Sequence, residues 1–279
     1  MTPRCQFHLM RVGSCSHPQA ATLRGGSLCP TDFPALVGLI LHPQEGPLLF
    51  DTGYDQAFFT ATRPFPERLY RWATPVDLPP GAAASDQIAR FGLTPSDIRG
   101  VVLSHFHGDH VAGLTAFPNA RLYCARAGLD EVRGAGRFGG VRRGLLAGLV
   151  PDDAGSRACY FESMPRRPLP SAFTPFTDGA DVLGDGSLLA VELPGHCTGH
   201  WGLVLKGKDD RYRFLIGDAA WSLQAVRENR PPPRLTTALL GRTEPYRRTL
   251  ADLHGLTARA AGVSLIPSHC PEAAGHEPG

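Results

Sequence analysis

The chain has 279 residues and a formal charge of +2, the small difference between 28 basic and 26 acidic side chains. That balance gives no basic excess for nucleic acid and no acidic surplus for a basic partner. A 42% hydrophobic fraction supports a sizeable core, while the longest apolar runs, such as Ala35 to Leu41, are far too short to span a bilayer.

The N-terminal stretch from Met1 to Gly13 has neither an apolar core nor a small-residue cleavage site, so no secretory signal is expected. The seven cysteines (Cys5, Cys15, Cys29, Cys124, Cys159, Cys197 and Cys270) are scattered and form no CxxC pair. They read as free thiols of a reducing compartment, which predicts a soluble cytoplasmic protein.

Leu36 to Leu41 reads as a buried strand, His42 to Pro47 as a turn, and Leu48 to Phe50 as the returning strand, ending at Asp51-Thr52-Gly53. Residues 54 to 80, rich in proline and aromatics, read as a long loop over a cleft. A helix capped by Ser85 runs to Phe91 and stops at Gly92. Thr94 to Asp97 turns into a strand from Gly100 to Leu103, and Arg121 to Cys124 is another. Residues 126 to 150 read as a partly helical insertion, and 151 to 175 as a link between two halves. Leu188 to Leu193 is a strand, and Trp201 to Lys206 with Tyr212 to Ile216 forms a hairpin. Residues 244 to 261 read as helical, Val263 to Ile266 is the last strand, and Pro271 to Gly279 is expected to be loose.

Asp51, His105, His196, Asp218 and His269 each follow a short apolar strand by one to three residues. Strand ends are where loops are free to converge on a ligand. His105-Phe106-His107-Gly108-Asp109-His110 places four metal-capable side chains in six residues. Neutral imidazoles suit zinc, and a carboxylate offsets its charge. On a tight loop this one segment can serve two metals, with a helix beginning near Val111.

The string His-x-His-x-Asp-His resembles the signature of the metallo-β-lactamase superfamily. The order of the Pro-Gly-His turn at His196, the Gly-Asp at Asp218, the late His269 and the Asp-Thr-Gly at Asp51 is similar as well. The match runs from about residue 35 to 270 and is closest to the N-acyl homoserine lactonase and pyridoxolactonase-like branch. It implies an α+β fold, a four-layer αββα sandwich, as one domain over 1–279 with two pseudo-equivalent halves at about 1–165 and 175–279. By resemblance, His105, His107 and His196 would bind one zinc, and Asp109, His110 and His269 a second. Asp218 would bridge both, and Asp51 would orient a ligand imidazole. Manganese or iron suit the same donors. Two ions roughly 3.5–4 Å apart would lower the pKa of a bridging water toward ~7 and polarise a carbonyl. Asp109 would relay the proton to the leaving group.

In that branch the third residue after the bridging aspartate is usually a tyrosine that hydrogen-bonds the substrate carbonyl. Here it is Trp221, read as lining an apolar pocket. Cys197 and Cys270, beside His196 and His269, read as packed thiols and His200 as structural. His8, His17, His42, His254 and His276 read as surface residues.

The expected function is a dinuclear zinc hydrolase acting on a small-molecule lactone or related ester. Its alternatives are a thioesterase resembling hydroxyacylglutathione hydrolases, a β-lactamase-like amide hydrolase, or a metal-free binding module. Nuclease members of the superfamily carry an added basic domain, and none is visible, so neither nucleic acid nor membrane is an expected partner. Nothing in the sequence opposes a homodimer. The oxygen-reducing diiron branch usually has a carboxylate where His107 stands.

Overall fold

Two sheets, each built by one part of the chain, account for the layering in a computed structural model that describes residues 2–260 and 262–274. In the first sheet, β1 (Gln6–Pro18) pairs antiparallel with β2 (Pro30–His42), and β2 with β3 (Gly46–Phe50). The short β4 (Val76–Asp77) borders β1, while β5 (Gly100–Val102), β6 (Arg121–Cys124) and β7 (Ala158–Tyr160) continue parallel to β3. The second sheet runs from β8 (Arg166–Pro168) through β9 (Asp178–Asp181), β10 (Leu188–Glu192) and β11 (Trp201–Lys206) to β12 (Tyr212–Gly217). These pair antiparallel, and β13 (Val263–Pro267) joins β12 in parallel.

Side-chain alternation explains why the sheets stack. On β2, Leu36 and Ile40 face the second sheet, while Val37 and Leu39 face the opposite way. On β11 and β12, Leu203, Leu205 and Leu215 point inward, and Val204, Phe214 and Ile216 point outward.

Helices cover both outer faces. The first sheet is covered by α1 (Gln56–Ala61), α2 (Arg68–Ala73), α3 (Ala84–Gln87), α4 (Gly108–Val111), α5 (Arg126–Gly134), α6 (Arg137–Arg142) and α7 (Ala154–Arg157). The second carries α8 (Leu223–Arg227), α9 (Arg234–Leu240) and α10 (Thr243–Arg259), and α11 (Pro271–Ala274) follows β13. Along α10, Tyr246, Leu250 and Leu253 recur at helical spacing on the buried face. Each such leucine contributes about 1.5–3 kcal/mol through burial. The result is the expected four-layer αββα sandwich. No helix among the described residues is long and apolar enough to cross a membrane.

Several local expectations need correction. The strand read as Leu36 to Leu41 starts at Pro30 and pairs with β1, which the sequence reading did not assign. Residues 54 to 80 are not one loop: Asp55 caps α1 by accepting from Ala57 N–H, and α2 follows. The helix expected from Ser85 is capped at Ala83 and splits into α3 and a 3-10 turn ending at Gly92, whose φ is +72°. The helix expected near Val111 begins at Gly108. Residues 271–274 are helical rather than loose, and the rest of the tail, with His276, lies outside the described residues.

Candidate metal centre

The predicted residues arrive at one edge of the sandwich from both sheets. β5 runs out through Leu103 and Ser104 to His105, and His107 stands before α4, whose first turn carries Asp109 and His110. His196, Asp218 and His269 follow β10, β12 and β13. Backbone bonds pin the sheets together here: Trp201 N–H donates to Ser104 O, and Leu36 N–H to Ser268 O, each at 2.9 Å. Two glycines clear the approach. Gly217, at φ +53°, leaves a Cβ only 2.8 Å from His200 Nε2, and Gly195, at φ +130°, packs against the backbone of Tyr246.

The side chains form two groups. His196 Nε2 lies 3.0 Å from His107 Nδ1, and the donor atoms of His105, His107, His196 and Cys197 all fall within 4.8 Å of one another. In the second group, Asp109 Oδ2 is 3.2 Å from His269 Nε2 and 3.8 Å from His110 Nε2. Asp218 faces both. Its Oδ2 is 3.3 Å from His196 Nε2, while its Oδ1 is 3.3 Å from His269 Nε2 and 3.4 Å from His110 Nε2.

Outer contacts turn these rings inward. His110 Nδ1 lies 2.8 Å from Asp51 Oδ2, and His269 Nδ1 lies 2.8 Å from Pro34 O. His105 Nδ1 is 2.9 Å from Ser104 Oγ, which donates to Asp51 Oδ2 at 2.7 Å. With each Nδ1 turned outward to an oxygen partner, Nε2 is the ring nitrogen left to face the centre. Asp51 holds this post in a left-handed conformation, φ +60°, that aspartate tolerates better than most residues. His200 Nδ1 donates to Leu193 O at 3.1 Å, and its Nε2 accepts from Asp218 N–H at 3.0 Å. Burial pushes His200 down to about 4, in keeping with a neutral, accepting ring.

The electrostatics separate the two groups. Burial, reinforced by neighbouring imidazoles, holds His105 well below the usual histidine range, and burial does the same to His196. Burial also opposes protonation of His110, but Asp109, Asp218 and Asp51 outweigh it and raise the ring to about 10. His269 is likewise raised, against burial, by Asp218 and Asp109.

The Nε2 atoms of His105, His107 and His110, and Oδ1 of Asp218, are buried without a hydrogen-bond partner. Such orphans are rare in proteins. His107 meets the group through Nδ1, but the other three orphans lie among facing imidazoles and carboxylates, where they suit cations, and the donor set suits zinc.

Other residues complete the surroundings. Trp221 donates its indole N–H to Asp218 Oδ2 at 2.6 Å and sets its ring edge-on to His196 at 5.3 Å. It also lines, with His17, Phe33, Tyr70 and Leu240, a cavity of about 140 Å³ over the centre. Tyr70 belongs to the aromatic segment expected over the cleft, but no spacing announced that its hydroxyl would lie 3.4 Å from Asp109 Oδ1. The role of Ser104 had one signal, its place immediately before His105.

Three histidines expected on the surface are not free there. His42 is buried, accepts from Gln44 and Glu45 N–H, and faces Asp185 at 3.1 Å. His17 stacks on Phe33 at 4.0 Å, and half-buried His254 lies 2.9 Å from Val226 O. Cys270 is buried and accepts from Leu223 N–H.

Fold and centre together define a class: a two-sheet sandwich with a two-part histidine and carboxylate cluster at the edge the sheets share. The chain belongs to the Metallo-beta-lactamase superfamily, which it matches over residues 30–261.

N-acyl homoserine lactonase AttM of Rhizobium johnstonii is 28% identical over 279 residues, covering 98% of this chain and 91% of that protein. AttM of Rhizobium radiobacter is 28% identical over 189 residues, 67% of this chain, and there the chain spans 64% of the relative's length. Among solved structures, an N-acyl homoserine lactone hydrolase with the product N-hexanoyl-L-homoserine at its catalytic metal centre aligns with a TM-score of 0.73. That pair is 16% identical, covering 98% of this chain and 95% of the other, a likeness of fold.

Proposed function

We propose that the chain is a dinuclear zinc hydrolase that opens a lactone or a closely related ester. The observation that carries this reading is Asp218, whose two carboxylate oxygens face two separate imidazole groups. His105, His107 and His196 would hold one ion, Asp109, His110 and His269 the other, and Asp218 would touch both. When bound, the two ions supply hydroxide at neutral pH and polarise the ester carbonyl.

The protein's own groups do the rest. Asp51 and Pro34 O hold the rings of His110 and His269 in orientation. Asp109, at the mouth of the second group, would take the proton shed by the attacking water as its oxygen bonds to the carbonyl carbon, and pass it to the alkoxide as the ring C–O bond breaks. The cavity of about 140 Å³ has the volume of roughly five waters, which suits a small ring. The two lactonase relatives favour a lactone over a thioester or an amide.

We also read the chain as one domain in two halves, each supplying one sheet. Its seven unpaired cysteines agree with the cytoplasm.

Metal analysis of the purified protein beside N-acyl homoserine lactones, simple γ-lactones, acyl thioesters and a β-lactam tests this proposal. The expected result is about two zinc per chain with turnover fastest on a lactone. A chain that binds no metal, or prefers the thioester, overturns it.

A further inference from the structure

The aromatic segment before residue 80 reaches the centre with a phenol. Tyr70 lies on α2, and its ring sits 5.4 Å from Phe58, which in turn packs 5.2 Å from Tyr54. Phe58 and Tyr54 are fully buried, so this edge-on stack fixes the Tyr70 ring from beneath. The hydroxyl emerges in the cavity that also contains Asp109, His196, Asp218 and His269.

Two further facts decide what this hydroxyl can do. The other aromatic donor over the centre, Trp221 N–H, is committed to Asp218 Oδ2 at 2.6 Å. The Tyr70 bond to Asp109 Oδ1 is long, 3.4 Å, so the hydroxyl can leave it for a better acceptor. Hydrogen bonds that serve a reaction are often loose before substrate binds and tighten afterwards.

We propose that Tyr70 donates its hydroxyl hydrogen bond to the carbonyl oxygen of the bound ester, where negative charge develops as the carbon becomes tetrahedral. A neutral donor fixed in a partly dry cavity stabilises that charge without reorganising. After ring opening the same bond holds the product carboxylate. The proposal rests on the lactone reading above.

The test compares the zinc-loaded protein with its Tyr70→Phe variant, which keeps the ring and its stack and removes only the hydroxyl. Four quantities are measured: zinc content, thermal unfolding, turnover of N-hexanoyl homoserine lactone, and calorimetric affinity for N-hexanoyl-L-homoserine. Zinc content and unfolding are expected to stay the same, kcat to fall about 100-fold, and product affinity to weaken about ten-fold. Unchanged kcat and product affinity in the variant, beside an active parent, overturn the proposal and leave the lactone reading intact. Loss of zinc with unaltered product affinity also overturns it, since Tyr70 would then act only on Asp109. A parent that neither turns over the lactone nor binds its product defeats the lactone reading, and this proposal with it.

Discussion

The two halves of the centre share a carboxylate but are built on different physics. His105, His107 and His196 form a neutral group in which burial keeps protons off the rings. Asp109, His110 and His269 form a charged group, where carboxylates raise His110 to about 10 and His269 well above its ordinary range. The first group offers lone pairs that are already free. The second must exchange protons for a cation, because an imidazole ligates only when that nitrogen is bare. On the two-ion reading, adjacent sites built from the same residue types should therefore differ in affinity and in response to pH.

The largest test of this division is Asp218→Ala, because each oxygen of Asp218 lies within 3.4 Å of imidazoles in a different group. Zinc retention should fall at both sites and turnover by more than about 100-fold, beyond what the loss of an orienting residue costs. Elemental analysis showing one zinc fully retained would mean that the groups do not depend on a shared bridge.

Asp51→Asn should act more gently and unequally. Asp51 contacts His110 directly but reaches His105 only through Ser104. The expected effect is about 10–100-fold weaker binding at the second group, with a smaller change at the first. Equal weakening in a two-site titration would contradict that order.

Acidity supplies the third comparison. In the metal-free chain the facing carboxylates favour protonated His110 and His269, whereas burial disfavours protonated His105 and His196. Calorimetry in buffers of different ionisation heat should find protons released on filling the second group and essentially none on filling the first. The second affinity should accordingly fall about ten-fold per pH unit for each proton as pH drops below 7. Equal release from both events would erase the distinction.

Much of this centre was legible because its chemistry is local. Four candidate ligands crowd six residues, and the others each follow an apolar strand, so the pattern pointed to the histidines and aspartates that the fold brings to this edge. What escaped depends on approach through space. Tyr70 enters from a helix 39 residues before Asp109. Trp221 looked like pocket lining, and its bond to Asp218 depends on how the turn after β12 folds back. His42 gains its carboxylate neighbour Asp185 from the other half of the chain. Strand β1 was hidden because its pairing with β2 shifts register between Arg11 and Ser14, which breaks the two-residue alternation that identifies a strand.

The smallest predicted effect concerns Trp221, whose N–H meets the Asp218 oxygen on the side of the neutral group. Trp221→Phe keeps an aromatic ring beside His196 and removes that one donor. Asp218 remains held through its backbone N–H to His200, so the carboxylate loosens but stays in place. Because the carboxylate stays in place, the cost should approach the lower end of what one hydrogen bond to a charged acceptor contributes, about 1.5 kcal/mol, or roughly ten-fold in affinity. It should fall on the first group alone, because the indole bonds Oδ2, while Oδ1 faces His110 and His269 and accepts no hydrogen bond. A competitive chelator titration resolves the two sites. If the weakening appears at the second site instead, the two oxygens of Asp218 are not divided between the groups as their distances indicate.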